Sequence, residues 1–157
     1  MSYSLIQWWY YSPIFWEIFF LDRVSKIAAY SLVGQRPFIV NKFLSFQFAL
    51  NKGISWGLFS SNSDWVYLAI STIVFAVLCV LAKYSCDRQK EGQNVMGETL
   101  LLAGGFSNFL DRLIYHGVVD FIKISFGRWS FPIFNIADIA LTFGAVIILY
   151  QFLLGDE

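Results

Sequence analysis

Charge is scarce in this chain. Only 14% of its 157 residues are Asp, Glu, Lys or Arg, where a soluble domain carries about 25%. The 11 basic residues balance the 11 acidic ones and never form a run. Phosphate binding needs clustered Lys and Arg, so no nucleic acid is expected as a partner. There is one histidine, His116, and there are two cysteines, Cys79 and Cys86. That inventory supplies no zinc ligand set, so no metal and no other cofactor is expected. Cys79 sits in an apolar run and Cys86 in a polar stretch, which argues against a disulfide between them. Residues 1–16 contain no Lys or Arg. The positive region that opens a cleaved signal peptide is therefore missing, and the segment reads as part of a retained membrane helix.

Apolar surface, by contrast, is abundant. The chain is 57% hydrophobic and 20% aromatic, with 17 Phe, 6 Trp and a mean hydropathy of +0.59. So small a core cannot hide that much, and lipid must cover the rest. Stretches of about 18 or more apolar residues mark spanning helices. Such stretches occupy residues 65–83 and 134–154. A third, 95–115, is interrupted by Glu98, Asp111 and Arg112, and a fourth, 13–33, by Glu17, Asp22, Arg23 and Lys26. Trp8, Trp9, Tyr10 and Tyr11 precede that first span, as in an aromatic belt at a membrane surface. The fold class is thus all-α integral membrane, four transmembrane helices in a single domain over residues 1–157.

The connections differ. Residues 84–94 read as a short polar loop of mixed charge. In 34–64, Phe46, Phe48 and Leu50 alternate with Ser45, Gln47, Ala49 and Asn51. A period of two predicts a strand with one apolar face, a small β element outside the membrane. It runs into a Gly-punctuated loop, Asn51-Lys52-Gly53-Ile54-Ser55-Trp56-Gly57, expected to contact substrate. With four spans, 34–64 and 116–133 share one side. A plain count of Lys and Arg makes that side cytoplasmic; the density of Lys83, Arg88 and Lys90 favours the short loop instead.

Charged groups inside spans cost about 2.5–3.5 kcal/mol each and call for partners or a function. Asn108, Asp111 and Arg112 share one helix face at i, i+3 and i+4, as do Asn135 and Asp138, and Asp22 and Lys26. Antiparallel spans bring all of them to one membrane level. Asp111 beside Arg112 suits a structural ion pair, and Asp22 with Lys26 a neutralising one. His116, at a helix end, reads as an interfacial side chain. Asp120 and Asp138 have no neighbouring base in sequence. Two carboxylates sharing a site hold one proton between them near neutral pH, which is aspartic protease chemistry. Serine chemistry is disfavoured, since no Gly-x-Ser-x-Gly turn is present and Ser25 and Lys26 point in different directions on a helix.

At these residues the sequence resembles the lipoprotein signal peptidases, or type II signal peptidases, of bacteria. Asp22-Arg23-Val24-Ser25-Lys26 is similar to the family's Asp-x-x-Ser/Thr-Lys element. Asn51–Gly57 resembles Asn-x-Gly-x-Ala/Ser-aromatic-Ser/Gly, and Asn108-Phe109-Leu110-Asp111-Arg112 resembles Asn-x-x-Asp-Arg. Val119-Asp120-Phe121 and Phe134-Asn135-Ile136-Ala137-Asp138 resemble Val-Asp-Phe and Phe-Asn-x-Ala-Asp. Five elements in order are specific where any one is not. The resemblance implies a catalytic dyad of Asp120 and Asp138. It implies that Asn51, Gly53, Asn108, Asp111, Arg112 and Asn135 bind substrate or brace the site, and that Asp22 holds the first helix to it. The implied substrate is a prolipoprotein with a diacylglyceryl cysteine, cut just before that cysteine. The implied setting is the bacterial inner membrane, with the site at the outer face, and the enzyme is expected to be a monomer among membrane lipids. Ser107 stands where the family usually has Gly, and Arg23 where it often has Gln. The alternative from another class is a small channel or transporter subunit with a polar pathway, which would need polar groups along its whole length.

Overall fold

The structure, a computed structural model, describes residues 3–33, 36–53 and 64–154. Four long helices dominate it: α1 (Tyr3–Ala28), α2 (Asp64–Lys90), α3 (Met96–Tyr115) and α4 (Ile136–Leu154). A π-helical turn, Ala29–Val33, prolongs α1. Strands β1 (Phe38–Ile39), β2 (Leu44–Asn51), β3 (Val118–Phe126) and β4 (Trp129–Ser130) form one antiparallel sheet in the order β1-β2-β3-β4.

Burial runs inside out relative to a soluble protein. Phe20, Leu21, Val24 and Ile27 of α1, Leu68, Phe75 and Val80 of α2, Leu113 of α3, and Phe143, Val146 and Phe152 of α4 are exposed. Asp22, Lys26, Glu98, Asp111 and Asn135 are buried, none more than 1% exposed. Water would favour the reverse. α2 and α4 are long and apolar enough to span a membrane on their own composition. α1 and α3 are interrupted by charges, and all of these but the exposed Glu17 face inward. The all-helical membrane fold with a small β element is the one expected.

α3 is the central helix, packed against α1, α2 and α4. Its seam with α4 depends on small residues. A Cβ on Gly104 would lie 2.5 Å from Ala137 O, and one on Gly144 would lie 2.7 Å from Gly97 O. Such approach of backbones suits helices in lipid, where packing rather than the hydrophobic effect drives association.

Some expected boundaries move. α1 begins at Tyr3 and runs through Pro13, so the aromatic residues 8–11 lie in the helix rather than before it. α2 runs to Lys90, which makes most of the expected polar loop helical. Asp87 pairs with Lys83 (3.2 Å) and Lys90 (2.9 Å) along that last stretch. Arg88 binds Glu98 of α3 at 2.6 Å and Gln93 at 2.7 Å. Polar residues thus close the α2–α3 turn instead of unravelling it.

The strand at 45–51 is present as β2, but its single apolar face is not. Phe46 pairs with Ile122 of β3 while Ala49 pairs with Asp120, so β2 holds one extra residue between them. Such a bulge breaks the alternation and bends the strand. Phe46 meets Phe121, Phe48 meets Tyr30 in the π-helical turn after α1, and Leu50 is left exposed. Of the loop expected at Asn51–Gly57, residues 51–53 form a turn in which Gly53 N donates to Asn51 Oδ1, and 54–57 lie outside the described residues.

Candidate active site

The polar residues converge at the sheet end of the helices. Asp120 lies on β3, just past the bulge, and is 3% exposed. Asp138 lies in the first turn of α4. Asn135 joins them. Its Nδ2 donates to Asp120 Oδ1 at 2.7 Å, and its backbone N donates to Asp138 Oδ2 at 3.1 Å. Asn135 Oδ1 in turn accepts from Asp138 N at 2.8 Å. This is a reciprocal cap on the N-terminus of α4, formed by an Asn–Asp pair. The same local chemistry that starts the helix therefore aims both side chains.

Two further amides complete the surroundings of the acids. Asn51 Nδ2 donates to Asp120 Oδ2 at 3.2 Å, and Asn108 Nδ2 to Asp138 Oδ1 at 2.9 Å. Asn51 Oδ1 also accepts from Gly53 N at 3.0 Å, tying down the turn after β2. Burial, and after it the negative charge of Asp138, push the Asp120 carboxyl up to about 7. The Asn51 and Asn135 amides and the Lys26 charge oppose that rise only in part.

A second layer lies beneath. Lys26 Nζ contacts Asp22 Oδ2 at 2.7 Å, Asp111 Oδ2 at 2.8 Å and Asn108 Oδ1 at 2.7 Å. Arg23 pairs with Asp111 and also donates to Ser107 O at 3.2 Å. Ser107 Oγ donates to Asp22 Oδ2 at 2.6 Å. Asp22 also accepts from Ala137 N at 2.8 Å, and Asp111 from Val119 N at 3.1 Å.

Asp22, Asn51, Asn108, Asp111, Asp120, Asn135 and Asp138 thus form one connected network, to which Gly53 is tied through Asn51. One expected pairing is absent. Asp111 does not take Arg112 as its counterion, because adjacent helical residues point apart. Its cations are Arg23 and Lys26, from α1. Arg112 instead donates through Nη2 to Gly53 O at 2.6 Å, and its backbone oxygen accepts from Tyr67. His116 caps α3 in the left-handed conformation (φ 54°), with its ring 5.2 Å from that of Tyr67. Lys26, Arg23 and Ser107 were not among the expected site residues. The sign that could have found them is that each sits in or beside a motif whose acids need partners.

A cavity of about 760 Å³ opens beside the acids. Asn51, Asn108, Arg112, Asp120 and Asp138 line its polar end. Ile70, Val74, Val77 and Leu81 of α2, Leu101 of α3 and Leu141 of α4 line the rest. From Ile70 to Leu81 that wall runs about 16 Å along α2. Polar groups are therefore confined to one end, unlike the lining of a through-pathway.

The family model described as Signal peptidase (SPase) II matches residues 14–154. A lipoprotein signal peptidase of Listeria monocytogenes serotype 4a (strain HCC23) is 28% identical over 152 residues, covering 94% of this chain and 96% of the relative. One from Burkholderia cenocepacia (strain J2315) is 31% identical over 138 residues, covering 85% of this chain and 81% of the relative. Two solved structures are similar in fold. One, described as a bacterial membrane enzyme determined by the in meso method at 2.3 Å resolution, has a TM-score of 0.75 and 31% identity, over 91% of this chain and 87% of that one. The other, described in the same words at 1.9 Å, has a TM-score of 0.73 and 32% identity, over 94% of each chain. The chain belongs to the signal peptidase II family.

Proposed function

We propose that Asp120 and Asp138 are the catalytic dyad with which this intramembrane aspartic endopeptidase removes signal peptides from lipoprotein precursors. The observation that carries the assignment is Asn135, a single residue bonded to both carboxylates. Acids held this close do not both ionise readily, so the pair carries one proton near neutral pH. The ionised carboxylate takes a proton from water as the water oxygen bonds to the scissile carbonyl carbon. The other carboxyl gives its proton to the carbonyl oxygen. The resulting diol then returns a proton to the newly ionised acid, the C–N bond breaks, and the leaving nitrogen takes the proton gained from water. The dyad is left with one proton, as it began.

The cavity supports a substrate with a polar scissile end and an apolar attachment. A diacylglyceryl cysteine fits that description: its peptide would lie by Asn51, Arg112 and the dyad, and its acyl chains along α2 and α4. Arg112 lines the cavity, and its Nη1 is buried with no acceptor among the described residues, which leaves a donor to spare near the proposed substrate backbone. Gly53 supports the reading through its buried turn, held by Asn51 and Arg112. Both acids of the dyad lie on this chain, so the proposed chemistry needs no second copy, and the sequence offers nucleic acid no run of cations.

The test is cleavage of a diacylglyceryl-modified lipobox peptide by the purified protein in detergent. Asp120→Asn and Asp138→Asn should each lower kcat by about 10²–10⁴-fold while the protein still folds. Turnover within a few-fold of wild type in either variant overturns the assignment. We further propose that the sheet and the dyad face outward from the bacterial inner membrane. In a background without Cys79 and Cys86, an impermeant thiol reagent applied from outside should label Lys42→Cys and Arg128→Cys, and not Glu91→Cys. The opposite pattern would put the site in the cytoplasm.

A further inference from the structure

We infer that Lys26 is a positioning residue for the dyad, setting the spacing of the two aspartates through a symmetric pair of carboxylate clamps. The inference rests on the assignment of Asp120 and Asp138 just given. Its basis is the register of two backbone amides. Asp22 Oδ1 accepts from the N–H of Ala137, the residue immediately before Asp138. Asp111 Oδ2 accepts from the N–H of Val119, the residue immediately before Asp120. One ammonium group, at 2.7 Å and 2.8 Å, joins the two clamping carboxylates. Asn135 and the backbone of Phe134 tie β3 to the α4 N-terminus directly, and Lys26 Nζ adds a second link between them that runs through the two clamps.

Lys26 has a second hold on the site. Its ammonium group only donates, so the contact at 2.7 Å fixes the amide of Asn108 with its oxygen toward Lys26. The Asn108 NH2 group is thereby turned to Asp138 Oδ1. Asn135 Nδ2 also donates to Asn108 Oδ1, at 3.2 Å, so Lys26 is the shorter of two contacts that hold this orientation. Burial makes the arrangement rigid: Lys26 is 1% exposed and both clamping acids 0%.

A simpler role is charge balance alone. Asp22 and Asp111 are matched by Lys26 and Arg23, so losing Lys26 leaves a net negative charge buried, which is itself destabilising. A second substitution separates the two roles. Lys26→Met combined with Asp22→Asn restores neutrality, and the new amide oxygen still accepts from Ala137 N, but the bridge between the clamps is gone. Displacement of reacting groups by about 1 Å costs about 100-fold in rate. For the folded, monodisperse double variant we therefore expect a melting temperature near wild type, kcat lower by about 100-fold, and KM within about two-fold. Lys26→Met alone should be both unstable and slow. If kcat in the double variant returns to within about three-fold of wild type, or if its loss appears in KM rather than kcat, the inference fails. Asp120→Asn and Asp138→Asn, assayed alongside, keep the two readings apart. If they are inactive while the double variant is active, only the role of Lys26 is overturned. If they are active, the dyad falls, and the role of Lys26 with it.

Discussion

Two pairs of acids lie in neighbouring layers of this protein, Asp138 half-buried and the other three buried, and their surroundings differ in kind. Asp22 and Asp111 face cations: Lys26 bridges both, and Arg23 adds to Asp111. Asp120 and Asp138 face amides: Asn51, Asn108 and Asn135 donate to them without neutralising them. Cations turn a buried acid into part of a scaffold. Amides hold an acid in place and leave its proton free to move. The layer that must not change and the layer that must react are thus built from the same residue type, separated by the choice of partner.

The sharpest way to break this comparison is to remove one member of each layer. Asp111→Ala leaves Arg23 without its counterion, removes one of the three partners of Lys26 and frees Val119 N. Loss of one partner from a buried ion pair costs about 3–5 kcal/mol, so thermal unfolding in detergent should show most of the folded protein lost. The dyad variants should keep their fold and lose only turnover. If Asp111→Ala proves as stable as wild type, the lower layer is no scaffold.

A smaller effect tests the amides. Asn51 is half-buried, donates to Asp120 and holds the Gly53 turn. Asn51→Ala should lower kcat/KM about ten-fold while costing about 1 kcal/mol of stability, the worth of an ordinary hydrogen bond. A rate that falls only in step with lost folded protein would make the turn a mere hairpin end.

Much of this was legible in the sequence, for physical reasons that also explain the gaps. Uninterrupted apolar runs gave α2 and α4, and helical spacing put Asn108 with Asp111 and Asn135 with Asp138. Partners across helices were not legible. Neighbouring charges in sequence suggested Asp111 with Arg112, yet the real cations of Asp111 come from α1, more than 80 residues away. β3 was hidden because its first four residues, Val118 to Phe121, are all buried; with both faces covered, a strand shows no alternation. The bulge in β2 leaves no mark in composition, yet it sets Ala49 opposite Asp120. Ser107 and Arg23, read as departures from the family pattern, meet in one place: Ser107 donates to Asp22, and Arg23 binds Asp111 and Ser107 O.

The smallest predicted effect concerns pH, and it separates the layers without touching activity. Asp120 titrates near 3.8 in an unfolded chain and near 7 in the folded protein, mainly because burial disfavours its charge. Between those values the folded state keeps a proton that the unfolded state has released. Stability contributed by this group therefore falls as pH rises from about 4 to about 7 and levels off above that. Asp120→Asn removes the titration and leaves a neutral group of the same shape. Wild type and variant should melt together near pH 4, where both carry a neutral side chain. By pH 8 the variant should melt higher, by a few degrees for a domain of this size. An active-site substitution that stabilises the protein only at higher pH is the signature of an acid buried against its own ionisation. If the gap between the melting curves does not change from pH 4 to pH 8, Asp120 is ionised throughout, and the amide layer behaves as scaffold after all.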